Sequence, residues 1–548
     1  MLTDKEIKAL IQDMPVNMKV GQLFFLAYPG RDPQVIKPII EEFGITGCYI
    51  SQDNAETFAE AAAITEQLQS FMQELPGKIP MILGVDQEGA WGVLVPESCT
   101  GPGNLALGAA GDPKLTEEMY RVFGEEMLSV GYNTLLSPCA DVNLNPDSPI
   151  IGTRSFGEFP EAVAEHVYHA VQGAKRTGVL TTIKHFPGHG DTSGDTHREL
   201  PTVDKSLEEL MKNDLLPFKR GIEAGADLVM TSHILYPQLD PKFPATLSRI
   251  ILQDLLRERL GFQGVILSDS MNMGAIRKYY DPAESTLMAL QAGVDVIMLA
   301  EEHYDHDQHY LEKQLQSLRR VKEAIVRGEL PMEVVDEKLM RILKLKFQHM
   351  KVKTAPLTAE QRRANRAVEE ECARRAITLI ADPKGNWPVQ MDGSVICINA
   401  TPREAYANMV NIRGIGPNQA TPAFDTFQGE LARLAPEVKF FASEQLEEAL
   451  QSATPASTVL VVTEDYPLPG EDFAKEKQQD NVRRIIRECG EKVVVIGLRS
   501  AYEFKQYPAG VTYVSAFSSR TCSAVQMARM LVQGELPQGK SPITYSSR

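Results

Sequence analysis

Fourteen residues, Lys184-His185-Phe186-Pro187-Gly188-His189-Gly190-Asp191-Thr192-Ser193-Gly194-Asp195-Thr196-His197, hold three imidazoles and two carboxylates. Asp195 and His197 are two positions apart, so in an extended loop their side chains point the same way. The carboxylate can then hold the imidazole in one tautomer, an arrangement suited to proton transfer near neutral pH. The same density of ligating groups also fits a hydrolytic metal site that makes hydroxide from bound water, and loop histidines often do no more than bond backbone. Farther along, Asp269 follows the apolar run Gly264–Ser268 (GVILS), where a carboxylate projecting from a rigid strand end can act as a nucleophile. Capping the next helix is an equally ordinary task for such an aspartate. An anionic nucleophile on one face and a proton donor near the leaving oxygen are what glycosidic cleavage with retention requires.

These residues need a scaffold that gathers them. Apolar runs recur at Leu23–Ala27, Ile45–Ile50, Met81–Val85, Thr134–Ser137, Leu180–Ile183, Leu228–Thr231, Val265–Ser268 and Val294–Leu299. Between them lie segments with apolar residues at three- and four-residue spacing, such as Ala55–Gln73, Pro160–Thr177, Ser206–Ala224 and Ser248–Leu260. Eight strand and helix units over residues 1–350 predict an α/β fold, a (β/α)8 TIM-like barrel. Its chemistry belongs at the C-terminal ends of the strands, and the polar residues crowd there: Asp86-Gln87-Glu88-Gly89, Asp141, Asn143, Arg154, His233 and Ser268-Asp269-Ser270.

A polar, helix-forming connector occupies residues 351–380. Beyond it the runs Val395–Ile398, Thr458–Val462, Val493–Ile496 and Val511–Val514 predict a smaller α/β sandwich domain over 381–548, with a parallel sheet between helices. Gly414 and Gly416 lack a preceding strand and a third spaced glycine, so they read as an ordinary turn, not a dinucleotide loop.

With 548 residues and 43% hydrophobic content, the chain has material for two globular cores. A formal net charge of −17 without a basic block argues against nucleic acid and anionic membrane as partners. The N-terminal residues mix charges without a secretory apolar core, and no later run is long enough to span a bilayer, so a cytoplasmic protein is expected. Seven scattered cysteines, never in C-x-x-C spacing, indicate neither a disulfide framework nor a cysteine zinc site.

The motifs DQEG, NPDSPIIGTRSFG, KHFPGHGDTSGDTH with Leu200-Pro201, and GFQGVILSDSMNM, in this order along the chain, resemble those of the β-N-acetylhexosaminidases of glycoside hydrolase family 3, over about residues 15–350. The resemblance implies a retaining exo-glycosidase that removes terminal β-linked N-acetylhexosamine through a glycosyl-aspartate intermediate, with a small carbohydrate as its partner. By the same resemblance Asp269 is the nucleophile, Asp195 and His197 the acid/base dyad, and Asp86, Arg154, Lys184 and His185 hold the hydroxyls of the sugar. No metal and no cofactor are implied. His189 and Asp191 are read as loop architecture, and Gly188, Gly190 and Gly194 as permitting turns and movement. The chain departs from the family pattern at Ala90, Trp91 and Leu94, where arginines are usual at two places, and carries Thr196 and Ser270 where serine and aspartate are common. A phosphorylase or a β-glucosidase on the same scaffold is the alternative reading, and a non-catalytic sugar-binding protein a further one.

Overall fold

The structure, a computed structural model, describes residues 2–89, 92–148, 150–194, 196, 199–300, 309–391, 393–406, 419, 421–464 and 474–545. The turn expected around Gly414 and Gly416 lies outside them. Among the described residues no helix is long and apolar enough to cross a membrane.

All eight apolar runs of the first part contain strands: β1 Phe24–Leu26, β2 Gly47–Tyr49, β3 Ile82–Val85, β4 Thr134–Leu135, β5 Leu180–Phe186, β6 Leu228–Thr231, β7 Val265–Leu267 and β8 Ile297–Met298. They are parallel and hydrogen-bonded in the order β7-β6-β5-β4-β3-β2-β1-β8. The two ends of that series meet at a parallel bridge between Leu267 and Val296, which closes the barrel. Every strand residue is buried, because helices cover one face and inward side chains fill the other. β5 runs three residues beyond the apolar stretch, so Lys184 and His185 stand on a strand, not in a loop.

Two surrounding elements differ from the expected periodicity. Ser206–Ala224 is broken into helices Leu207–Lys212 and Leu216–Glu223, where Pro217 sits in the first turn and has no N–H to continue a preceding helix. Ser248–Leu260 forms the wider helix Ile250–Arg259, which ends on the bond from Leu260 N to Leu255 O.

Helix Ala359–Ala376 leads into the second sheet. Its strands are β9 Thr378–Ala381, β10 Val395–Asn399, β11 Lys439–Phe441, β12 Thr458–Thr463, β13 Val493–Gly497 and β14 Thr512–Ser515, in the order β11-β10-β12-β13-β14-β9. The expectation of an all-parallel sheet is corrected here: β9 pairs antiparallel with β14. Side chains alternate between two apolar layers, with Ile396, Val459, Val493 and Tyr513 on one face and Cys397, Leu460, Val494 and Val514 on the other. The first layer also contains Leu105, Ala106 and Ala109 of the barrel's helix Asn104–Ala110, so that helix docks directly on the second sheet.

Candidate active site

Asp86 leaves the end of β3, and the loop behind it is braced by buried Gln87, which donates to Cys99 O at 2.9 Å and accepts from Leu94 N at 2.5 Å. Leu94 itself is buried in the barrel core, while Ala90 and Trp91 lie outside the described residues. Lys184, on β5, contacts Asp86 and places its Nζ 2.6 Å from Glu88 Oε1. Arg154 meets Glu88 with two nitrogens, Nε at 2.8 Å and Nη2 at 2.9 Å, in a bidentate pair. The same Nη2 lies 3.4 Å from His185 Nε2. Tyr49, at the end of β2, donates to Asp86 Oδ2 at 2.9 Å.

The expected hydroxyl-binding residues Asp86, Arg154, Lys184 and His185 therefore form one cluster, and Glu88 is its hub. The Glu88 side chain is 0% exposed and that of Lys184 2%, whereas Asp86 keeps 24% and is the member open to solvent. Burial works against charge on Glu88, yet the Arg154 guanidinium and the Lys184 ammonium hold its carboxyl far below the usual range. Burial likewise opposes charge on Lys184, and Asp86 and Glu88 overcome it, so the ammonium stays protonated.

Asp141 forms a second hub beneath His185. Its carboxylate accepts from His185 Nδ1 at 2.8 Å and from the backbone N–H groups of His185 and His189 at 3.2 and 2.6 Å. Burial pushes the Asp141 carboxyl up, but the imidazole beside it prevails and keeps it ionised. An ionised carboxylate only accepts, so His185 donates to it from Nδ1 and turns Nε2 toward Arg154. Cys139 Sγ lies 3.0 Å from Asp141 Oδ2, and Cys139, Asp141 and His185 are a grouping with metal-ligand character. Burial, with Asp141 adjacent, keeps that thiol protonated, and the carboxylate oxygens already accept three N–H donors. The donor set thus suits a proton network better than a cation.

Asp269 follows β7 and is half-buried, accepting from Ser270 N at 2.8 Å. It does not cap the next helix: Met273 holds that position, with no side-chain bond. The strand end is fixed around it, as Ser268 Oγ accepts from Met298 N, Ser270 Oγ from Ala300 N, and Ser270 O contacts His233 Nε2 at 2.9 Å. Asp195 and His197 lie outside the described residues; Thr196 between them is described and buried. Of the loop glycines, Gly188 and Gly190 serve close packing: a Cβ on Gly190 would stand 1.7 Å from Val142 O, and Gly188 has φ +136° against Asp214.

The second domain reaches this rim. Arg520 donates from Nε to Gly89 O, and Asn143 donates to the Tyr502 hydroxyl at 2.6 Å. Glu158 accepts from the Thr544 N–H and hydroxyl at 3.0 and 2.8 Å. Sequence reasoning gave no role to Glu88, Tyr49 or these contacts; for Glu88 the available signal was its place two residues after Asp86 in a strand-end loop.

Residues 15–345 match the family model described as Glycosyl hydrolase family 3 N terminal domain. The chain is 28% identical over 511 residues to a protein named Beta-hexosaminidase A from Pseudoalteromonas piscicida, covering 87% of this chain and 83% of that one. It is 27% identical over 399 residues to a Beta-N-acetylglucosaminidase/beta-glucosidase from Cellulomonas fimi, with 70% and 67% covered. Among solved structures it resembles a glycoside hydrolase family 3 beta-N-acetylglucosaminidase from Paenibacillus sp. str. FPU-7, with TM-score 0.83, 27% identity, and 97% and 99% of the two chains covered. A closed (β/α)8 barrel with this cluster on its C-terminal rim, together with a family match over that same barrel, means that the chain belongs to glycosyl hydrolase family 3 and is a glycosidase.

Proposed function

We propose that this glycosidase removes terminal β-linked N-acetylhexosamine with retention of configuration, using Asp269 as nucleophile and His197, backed by Asp195, as acid and base. The observation that carries the reading is the buried cluster of Asp86, Glu88, Arg154, Lys184 and His185 at the C-terminal ends of β3 to β5. The names of the relatives from Pseudoalteromonas and Paenibacillus support N-acetylhexosamine as the sugar.

In this mechanism Lys184 and Arg154 donate to sugar oxygens, Asp86 accepts hydroxyl hydrogens, and His185 bonds one more hydroxyl through Nε2. Holding the ring in this frame aligns the anomeric carbon for in-line attack. The Asp269 carboxylate bonds to that carbon as the glycosidic C–O bond breaks, and the leaving oxygen takes the proton of His197. In the second half, His197 takes a proton from water, whose oxygen attacks the anomeric carbon and releases Asp269. Two inversions give net retention.

A panel of aryl β-glycosides, assayed with and without phosphate, tests this. The expected outcome is a preference for N-acetylglucosaminides over glucosides, no acceleration by phosphate, and the β-anomer as first product by NMR. Equal efficiency on both sugars overturns the substrate; phosphate-dependent release of sugar 1-phosphate overturns hydrolysis; an α-anomer first product overturns retention.

A further inference from the structure

We propose that the second domain is a working part of the sugar site, with Tyr502 and Thr544 as positioning residues that act through Asn143 and Glu158 to set Arg154; this rests on the reading of Arg154 as a donor to a sugar oxygen. Arg154 stands in the segment 150–158, between the loop after β4 and helix Pro160–Lys175. The regular structure of that segment is one short turn of helix, Gly152–Arg154, closed by Arg154 N to Ile151 O at 2.8 Å and Ser155 N to Gly152 O at 3.2 Å. A lone turn fixes several dihedrals for very few bonds and does not hold itself in place. Its position has to come from its neighbours.

Three contacts supply it. Asn143 accepts from Gly152 N through Oδ1 at 3.2 Å and donates through Nδ2 to the Tyr502 hydroxyl at 2.6 Å, so both ends of the amide are engaged and its orientation is set. Tyr502 opens the short helix Tyr502–Gln506 that follows β13 of the second sheet. Burial, with Glu158 adjacent, raises its phenol well above the usual range, so the hydroxyl keeps its proton through the neutral range. At the other end of the segment, buried Glu158 donates its N–H to Pro542 O at 3.0 Å, and its Oε2 accepts from the Thr544 N–H and hydroxyl. Between these, Arg154 O accepts from Asn104 Nδ2 at 2.7 Å, and Asn104 begins the helix that docks on the second sheet. The turn is therefore gripped on three sides by groups that belong to the second domain or rest on it. What they hold is the two-nitrogen pair of Arg154 with Glu88, whose fork geometry tolerates little displacement of the backbone that carries it.

The test is a double-mutant cycle on the full chain, read as KM and kcat for an aryl β-N-acetylglucosaminide per folded molecule. Tyr502→Phe removes only the hydroxyl that receives Asn143. It should raise KM about five- to tenfold and leave kcat within about twofold of wild type, as when binding shared by ground and transition states is lost. Thr544→Val, which removes one of the two donors to Glu158, should raise KM about two- to fourfold. Arg154→Lys keeps a cation beside buried Glu88 but cannot form the planar fork, and should raise KM about tenfold or more. In the Arg154→Lys background, adding Tyr502→Phe should cost a further factor of about two at most, because its effect passes through the guanidinium. An equal loss in both backgrounds overturns the inference, since a merely structural role adds independently of Arg154. A wild-type KM in both Tyr502→Phe and Thr544→Val overturns it too, as does a fall in kcat at unchanged KM. A wild-type KM in Arg154→Lys overturns the reading of Arg154 as a sugar donor, and the inference with it.

Discussion

Both ends of the barrel bury charge, and they use it differently. At the N-terminal end, Asp295 accepts from Ile266 N at 2.8 Å and pairs with Arg257 at 2.5 Å and Arg341 at 2.9 Å, locking two outer helices onto β7 and β8. Lys346 donates to Gln22 Oε1 and Thr46 O, each at 2.8 Å, and Lys338 donates to Val294 O. Burial pulls both ammonium pKa values down, that of Lys338 to about 8. At the C-terminal end, Asp86, Glu88, Lys184 and Arg154 face one another from strand ends, and one carboxylate stays partly open. The difference teaches that position along the strand axis separates charges that join elements from charges that, on the proposed reading, meet a ligand, although the residue types are the same.

That comparison can be broken at its strongest point. Asp269→Asn should lower kcat by roughly four orders of magnitude, because an amide cannot form the glycosyl ester, while the melting temperature stays within a degree or two. Steady-state assays and calorimetry on one preparation check both halves. Next in size, Asp295→Ala strands two guanidinium groups and should destabilise the fold by about 3–5 kcal/mol in denaturant titrations. Its kcat/KM per folded molecule should stay near wild type, and a rate loss without a stability loss there would dissolve the contrast between the ends.

A third measurement uses pH. His189, facing His185, Asp141 and Arg154, has a folded pKa of about 4, below the 6.5 of the unfolded chain. Its contribution is therefore complete above pH 6.5 and is lost as pH falls through 4, amounting to about 3 kcal/mol. Asp214, beside Lys205 and Asp191, runs the other way: burial raises its pKa to about 6, so its contribution is present below 3.8 and is lost as pH rises through 6. Denaturant midpoints from pH 4 to 7 should consequently be flatter in wild type than in His189→Gln, which should gain relative stability at the acid end. A mutant curve parallel to wild type would contradict this assignment. The smallest expected effect is none: exhaustive chelation should leave the rate unchanged, whereas a loss restored by added zinc would give Cys139, Asp141 and His185 a metal.

The barrel was legible because runs such as Met81–Val85 are uninterrupted apolar stretches between polar loops, as doubly covered strands require. β9 (TLIA) and β11 (KFF) were not, being edge strands of four and three residues with partly exposed side chains. The types and rim positions of Lys184, His185, Arg154 and Asp86 could be read. The centrality of Glu88 could not, because it depends on Arg154 and Lys184, 66 and 96 positions away in the chain. Gly190 shows the same limit. A glycine that permits motion and a glycine that admits a carbonyl at close range are identical letters, and only the neighbouring Val142 O distinguishes them.

Helix Asn104–Ala110 carries a last consequence, for how this polypeptide can be divided. Leu105, Ala106 and Ala109 lie against the second sheet, while Gly101 N donates to Glu369 on the connecting helix. A polypeptide ending near residue 350 would leave this apolar stripe bare and the neighbouring loop without its carboxylate acceptor. Such a fragment should self-associate unless the stripe is rewritten in polar residues, and the intact chain should melt in one shared transition rather than as two independent modules.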